Sequence, residues 1–128
     1  MKISSFLFTA SLIAFFFLLQ GSQTGKRVQK VGSFYSAEAK KVIDGKCYGC
    51  HSAAGQSQNA KNALMWDSLP GLQKSKLVAS LDDIIRVLKE DEMPPAGAVR
   101  RNPEMKLQPG EKRILQSWAE SRADSLLK

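Results

Sequence analysis

Both cysteines and the only histidine of this 128-residue chain fall in five consecutive positions, Cys47-Tyr48-Gly49-Cys50-His51. No other residue repeats these side chains, so the fold must present all three together for whatever chemistry they do. A disulfide is a poor use of the pair. A bridge across two intervening residues closes a tiny loop and takes almost no entropy from the unfolded chain.

The compartment sharpens the question. The N terminus, MKISSFLFTASLIAFFFLLQGS, carries one lysine, an apolar run from Phe6 to Leu19 and a finish of small and polar residues. That run is short for a membrane span and suits the apolar core of a secretory signal cleaved near Gly21 or Ser22. Ser22 stands where a lipoprotein has cysteine, so lipid attachment lacks its nucleophile. Lys26 and Arg27 follow closely, and a basic flank resists export, so an uncleaved anchor is the alternative reading of residues 1–22. Either way the remainder is exported, to the periplasm or the outer face of the cytoplasmic membrane. There two cysteines would ordinarily pair, which makes their close spacing informative.

Removing residues 1–22 leaves 106 residues and takes away one charged residue, Lys2, for a formal charge of +6. Export and the mixing of signs along the chain argue against nucleic acid. The charge reads first as a solvated surface, and as a functional feature it favours protein partners with acidic docking patches. The membrane enters only through a possible uncleaved anchor.

Residues 23–33 lack apolar periodicity and read as a tether. The domain is expected over residues 34–128. Ser36 can cap a helix carrying Ala39, Val42 and Ile43 on one stripe, with Gly45 as its stop. Ser52 to Asn62 is rich in Ser, Ala, Gly, Gln and Asn and reads as irregular loop. Leu69-Pro70-Gly71 is a turn. Ser80 with Asp83 resembles a capping box ahead of Leu81, Ile84, Ile85 and Leu88, which repeat at helical spacing up to Met93 and the Pro94-Pro95 stop. A further loop with Pro103 leads to a last helix from Pro109 to Leu126, with Ile114, Leu115, Trp118, Ala119 and Arg122 on its stripe. No alternating strand pattern occurs. The expectation is an all-α domain of three to four short helices with long loops, and such loops are costly to order without a large apolar insert.

Cys-x-x-Cys-His is the attachment signature of c-type haem. Two thiols three residues apart can each add to one porphyrin vinyl group while the adjacent imidazole reaches the iron. A redox Cys-x-x-Cys of the thioredoxin kind needs a preceding strand and a βαβ context, and neither is legible. Zinc wants four ligands where Cys and His supply three. One covalent haem c, held by two thioethers from Cys47 and Cys50 and ligated by His51, is therefore the expected cofactor.

With one histidine, the sixth ligand is Met, Lys or nothing. Met65 lies in the apolar stretch Ala63–Trp66 and reads as core filler, while Met105 sits among charges and prolines and reads as an outward residue. Met93 precedes two prolines at a helix end, and the residue before proline is held in extended geometry. A soft thioether fixed there suits a haem iron.

These stretches together, CYGCHS, EMPP and a terminal helix introduced by KLQPGEKRILQSWAE, resemble the small monohaem c-type cytochromes of the class I kind, often called haem-binding domain proteins. The similarity covers about Phe34 to Leu127. It implies a helical fold wrapped around one haem, His51 and Met93 as axial ligands, and one-electron transfer rather than catalysis. Such proteins also turn a proline carbonyl toward the proximal histidine, which implies Pro70 here, although it lies further along than the family spacing. In this reading Trp118 and Ile114 pack on Val42 and Ile43, and Arg100 and Arg101 are candidates for the rim of a docking site. The alternatives are a haem enzyme or ligand sensor with a labile sixth ligand, handicapped by the lack of a second histidine, and an anchored haem subunit of a larger respiratory assembly.

Overall fold

The computed structural model describes residues 33–128, which are helical with no strand among them. The expected signal or anchor, and the tether up to residue 32, lie outside the described residues. In chain order the elements are α1 (Ala37–Val42), a π turn (Ile43–Cys47), α2 (Tyr48–His51), α3 (Gln58–Ala63), a 3-10 turn (Leu69–Gly71), α4 (Lys74–Lys89), α5 (Ala96–Arg101), a second 3-10 turn (Pro103–Met105) and α6 (Pro109–Leu127).

Ser36 caps α1 as its sequence suggests, its hydroxyl accepting from the Ala39 amide at 3.1 Å. Gly45 does not stop the helix. A glycine stop needs the left-handed conformation at the residue after the cap, and no glycine among the described residues adopts it. The chain instead loosens into the π turn, the Tyr48 amide donating to the Ile43 carbonyl five residues back, and tightens again as α2. Such π bulges gather at functional sites, and this one sets the orientation at which Cys47 leaves the core-facing stripe of α1.

Two helices occupy stretches that read as loop. α3 is capped by Ser57, whose hydroxyl accepts from the Ala60 amide at 3.2 Å, and α5 begins after Pro95. Neither contains a buried residue, so neither has an apolar stripe to betray it. The loops are therefore less extensive than the sequence suggests, and so is the entropy cost of ordering them.

α4 starts at Lys74, two turns before the Ser80–Asp83 pair, because Leu77 extends the buried stripe of Leu81, Ile84 and Leu88. It ends at Lys89 rather than at Met93. Asp91 takes φ 56° and the Glu92 amide donates to the Val87 carbonyl at 2.9 Å, a Schellman stop with aspartate in the position usually held by glycine. A left-handed non-glycine residue costs about 1–2 kcal/mol. Lys112 of α6 donates to the Asp91 carboxylate and holds it in place.

α6 spans Pro109–Leu127 with a reciprocal Gln108/Glu111 capping box. Its most extensive contact is with α4, and it also packs on α1. The core gathers Ala39, Val42 and Ile43 of α1 and the π turn, Trp66, Leu69, the α4 stripe, and Leu115, Trp118, Ala119 and Ala123 of α6. Val42, Ile43 and Trp118 share this core with Ile114 packed against it, and the Trp118 ring also meets Phe34, Tyr35 and Trp66 at centroid distances of 5.8, 5.3 and 6.0 Å. Arg122 closes the cluster, donating to the carbonyls of Phe34 at 2.7 Å and Ser33 at 2.9 Å while its guanidinium lies over the Phe34 ring.

Candidate functional site

Cys47 ends the π turn and Cys50 and His51 lie in α2, so the three follow one another along one turn of backbone. Helical neighbours three and four apart share a face, so Cys50 and His51 stand one turn on from Cys47. Both thiols are free and half-buried. Cys47 packs against the apolar core, and that burial, with Glu111 and then Cys50 nearby, pushes its thiol up to about 12. A disulfide-exchanging cysteine needs its thiol pushed the other way. Burial thus keeps Cys47 a protonated thiol against the apolar core, unlike the activated thiol of a redox pair.

His51 is half-buried, and its Nδ1 lies 2.9 Å from the Leu64 carbonyl oxygen. A carbonyl only accepts, so Nδ1 carries the proton and donates, leaving the lone pair on Nε2. The carbonyl partner is thus Leu64 and not Pro70, which sits in the 3-10 turn beyond. Leu64 is reached because it directly follows α3, which packs against α2.

The segment Leu64–Asp67 straps the motif at further points. The Trp66 amide donates to the His51 carbonyl at 2.9 Å. The Asp67 carboxylate accepts from the Tyr48 hydroxyl through Oδ1 and from the Ala53 amide through Oδ2, the latter at 2.6 Å. The Tyr35 hydroxyl donates to the Trp66 carbonyl at 2.6 Å and fixes the strap to the core. Burial, aided by the Asp67 charge, raises the Tyr35 phenol to about 12. Trp66 is buried in the aromatic cluster, and its Nε1 has no hydrogen-bond partner among the described residues, a donor left bare at a cost of about 1–3 kcal/mol.

On the other side of the motif, Ser52–Ser57 folds back on α2. The Gly55 amide donates to the Ser52 carbonyl at 2.9 Å and the Gln56 amide to the Gly49 carbonyl at 3.3 Å. Gly55 is buried, and a Cβ there would lie 2.7 Å from the Cys50 carbonyl carbon and 2.9 Å from the Ser52 oxygen. Only glycine permits this approach to the motif backbone. Lys46 adds a tie from the preceding turn, donating to the Glu104 carbonyl at 2.5 Å, so the Pro103–Met105 turn lies against Ile43–Cys47.

Met93 lies between α4 and α5, half-buried and outside the packed core. The hydrogen bonds of Glu90–Pro95 run to Arg86, Val87, Lys112, Ala98 and Val99, and none reaches the motif. Cys47, Cys50 and His51 are neighbours by sequence, and Met93 lies on a segment whose hydrogen bonds run elsewhere. Met65 is also half-buried and outside the core, unlike its neighbours Trp66 and Leu69, so it is not the core filler that its apolar surroundings suggest. Among the described helices, α2 touches only the π turn and α3.

No cluster of three or more His, Cys, Asp or Glu side chains suited to a metal ion occurs among the described residues. No helix among them is long and apolar enough to cross a membrane. An open cleft of about 470 Å³ between Ser33–Glu38 and α6 is lined by Ser117, Ser121 and Arg122 among others, and by none of the four candidate residues.

The two raised groups give the chain a definite pH dependence. The folded state holds the Cys47 thiol and Tyr35 phenol protonated to about 12, whereas the unfolded chain releases those protons near 9.0 and 10.0. Above pH 9 the unfolded state binds fewer protons than the folded one, so stability falls with rising pH until both have ionised. Urea midpoints at pH 7, 9 and 10.5 check this: the first two should agree and the third should be lower, and a flat series would be contrary to it. Alkylation of the Cys47 thiol should move the onset up to about pH 10, where Tyr35 alone contributes.

Comparison with protein-family models, curated proteins and solved structures finds no match for this chain.

Proposed function

We propose that the chain carries one haem c, bonded by thioethers through Cys47 and Cys50 and ligated by His51 and Met93, and that it serves as an exported one-electron carrier. The observation that carries this reading is the state of the sole histidine. Its Nδ1 is committed to the Leu64 carbonyl at 2.9 Å, on the same turn as two free thiols, so its Nε2 is left as an oriented ligand.

The residues fit the group in other respects. α2 has helical neighbours only in the π turn and α3, so the helices of the core do not enclose it. Trp66 Nε1 is a buried donor without an acceptor, a deficit that a polar group on a bound cofactor would remove. The motif is held from both sides, by the Leu64–Asp67 strap and by the Ser52–Ser57 return, so its ligand changes position little.

When bound, haem supplies a one-electron iron couple. The protein's part is to hold the imidazole in one tautomer, to shield the ring edge at Cys47 with the apolar core, and to offer Met93 from a segment braced by Arg86 and Lys112. Thioether ligation favours the reduced iron. Arg100 and Arg101 are exposed in the last turn of α5, and within the described residues neither pairs with a carboxylate. They suit the rim of a small, transient interface with an acidic redox partner.

Protein produced in a host that attaches haem should give a pyridine haemochrome of the two-thioether type, with an intact mass increased by one haem. The ferric form should be low-spin, with a weak near-infrared sulfur-to-iron band that Met93→Ala abolishes. Unmodified thiols in the intact mass would refute the cofactor. High-spin ferric iron in the wild type would refute Met93 as ligand and favour the open-site alternative.

A further inference from the structure

Asp67 is the one charged residue of the strap, and it meets the motif on both sides of His51: three residues before, through the Tyr48 hydroxyl, and two residues after, through the Ala53 amide. Both donors are neutral. Among the described residues no Lys or Arg forms an ion pair with Asp67, so its exposed carboxylate stands beside the motif with only these two dipoles and solvent to offset its charge. The two intervening strap contacts, from His51 Nδ1 to Leu64 and from the Trp66 amide to His51, depend on the same short segment keeping its path.

We propose that Asp67 is a positioning residue for His51 which also, as an exposed carboxylate beside the motif, favours the oxidised state of the group held there. This rests on the haem reading above. The reasoning is electrostatic. Oxidation of the iron adds one positive charge, and a fixed negative charge nearby stabilises that state by an amount set by distance and local dielectric. The Tyr48 hydroxyl, whose dipole points its proton at Asp67, partly offsets that charge. Removing the carboxylate's charge and removing the hydroxyl therefore act in opposite directions, whereas a strap that merely holds the fold would be disturbed in the same direction by both.

The test uses the haem-loaded wild type beside Asp67→Asn and Tyr48→Phe. Asparagine keeps the size and an acceptor oxygen but loses the charge. Asp67→Asn should shift the one-electron equilibrium toward the reduced form by about threefold to tenfold, tenfold being about 59 mV, and Tyr48→Phe should shift it toward the oxidised form. An unchanged potential in Asp67→Asn, or shifts of one sign in both variants, overturns the proposal.

A second measurement separates this proposal from the cofactor reading. In the haem-free chain, amide exchange at Ala53 should speed up in Asp67→Ala and be largely rescued in Asp67→Asn. Protection at Ala53 equal in wild type and Asp67→Ala rejects the positioning role whatever the cofactor. Wild type that takes up no haem, with Ala53 protection behaving as expected, overturns the redox role and locates the failure in the haem reading.

Discussion

A Cys47→Ala/Cys50→Ala chain produced beside the wild type in a haem-attaching host is expected to emerge without covalent haem and far less stable than the loaded protein. No other thiol exists in the chain, so no neighbouring residue can rescue the linkage. The loss of stability follows from how the motif is built. A group that binds only the folded state stabilises it, and covalent attachment makes that contribution permanent. Without it the thirteen buried apolar residues among those described are left to hold two long helices and several short ones in place, and Trp66 Nε1 keeps its unpaired proton. Against a domain stability of roughly 5–15 kcal/mol, the loss should amount to several kcal/mol, read as a lower urea midpoint and reduced helical circular dichroism. Haem-free wild type is the control. It should lie within about 1–2 kcal/mol of the double variant, because the substitutions themselves truncate only two half-buried side chains. Full helicity and an unchanged midpoint relative to the loaded protein would show that the cofactor is no part of the fold.

Gly55→Ala is expected to be the most damaging single-methyl change in the chain. The added carbon would meet the Cys50 carbonyl carbon at 2.7 Å and the Ser52 oxygen at 2.9 Å. Both are backbone atoms of the motif and cannot swing aside as a flexible side chain does. Relief requires moving either the Ser52–Ser57 return or α2 itself, and moving α2 strains the bonds to Leu64, Trp66 and Asp67. Overpacking of this kind costs about 3 kcal/mol. Gly71→Ala offers the contrast, since nothing lies within 4 Å of its Cβ position, and its effect should stay within about 0.5 kcal/mol. Chemical denaturation of the two variants side by side decides the matter, and equal midpoints would remove Gly55 from the set of residues that shape the site.

What could be read from the sequence divides along physical lines. The stripes Leu81, Ile84, Leu88 and Leu115, Trp118, Ala119 were legible because burial imposes a period on side chains. α3 and α5 were not, because helices that bury nothing carry no period, and the Ser57 cap was their only trace. The motif residues were legible because their chemistry is rare. Their supports were not, for a different reason in each case. The Leu64 carbonyl belongs to the backbone, which every residue shares. Gly55 looks like any loop glycine until the path of the return is known. The Asp67–Tyr48 pair spans nineteen residues with no spacing rule to join them. Gly45 misled because its usual role as a helix stop was overridden by the π turn, and Ser80 because a buried Leu77 made two further turns of α4 favourable.

The grip of Arg122 and Trp118 on the carbonyls of Ser33 and Phe34 has a mechanical meaning. Tension applied at Ser33 meets three hydrogen bonds to the C-terminal helix before it reaches α1. The cysteine-bearing turn lies beyond that joint, insulated from strain on the leading end of the polypeptide.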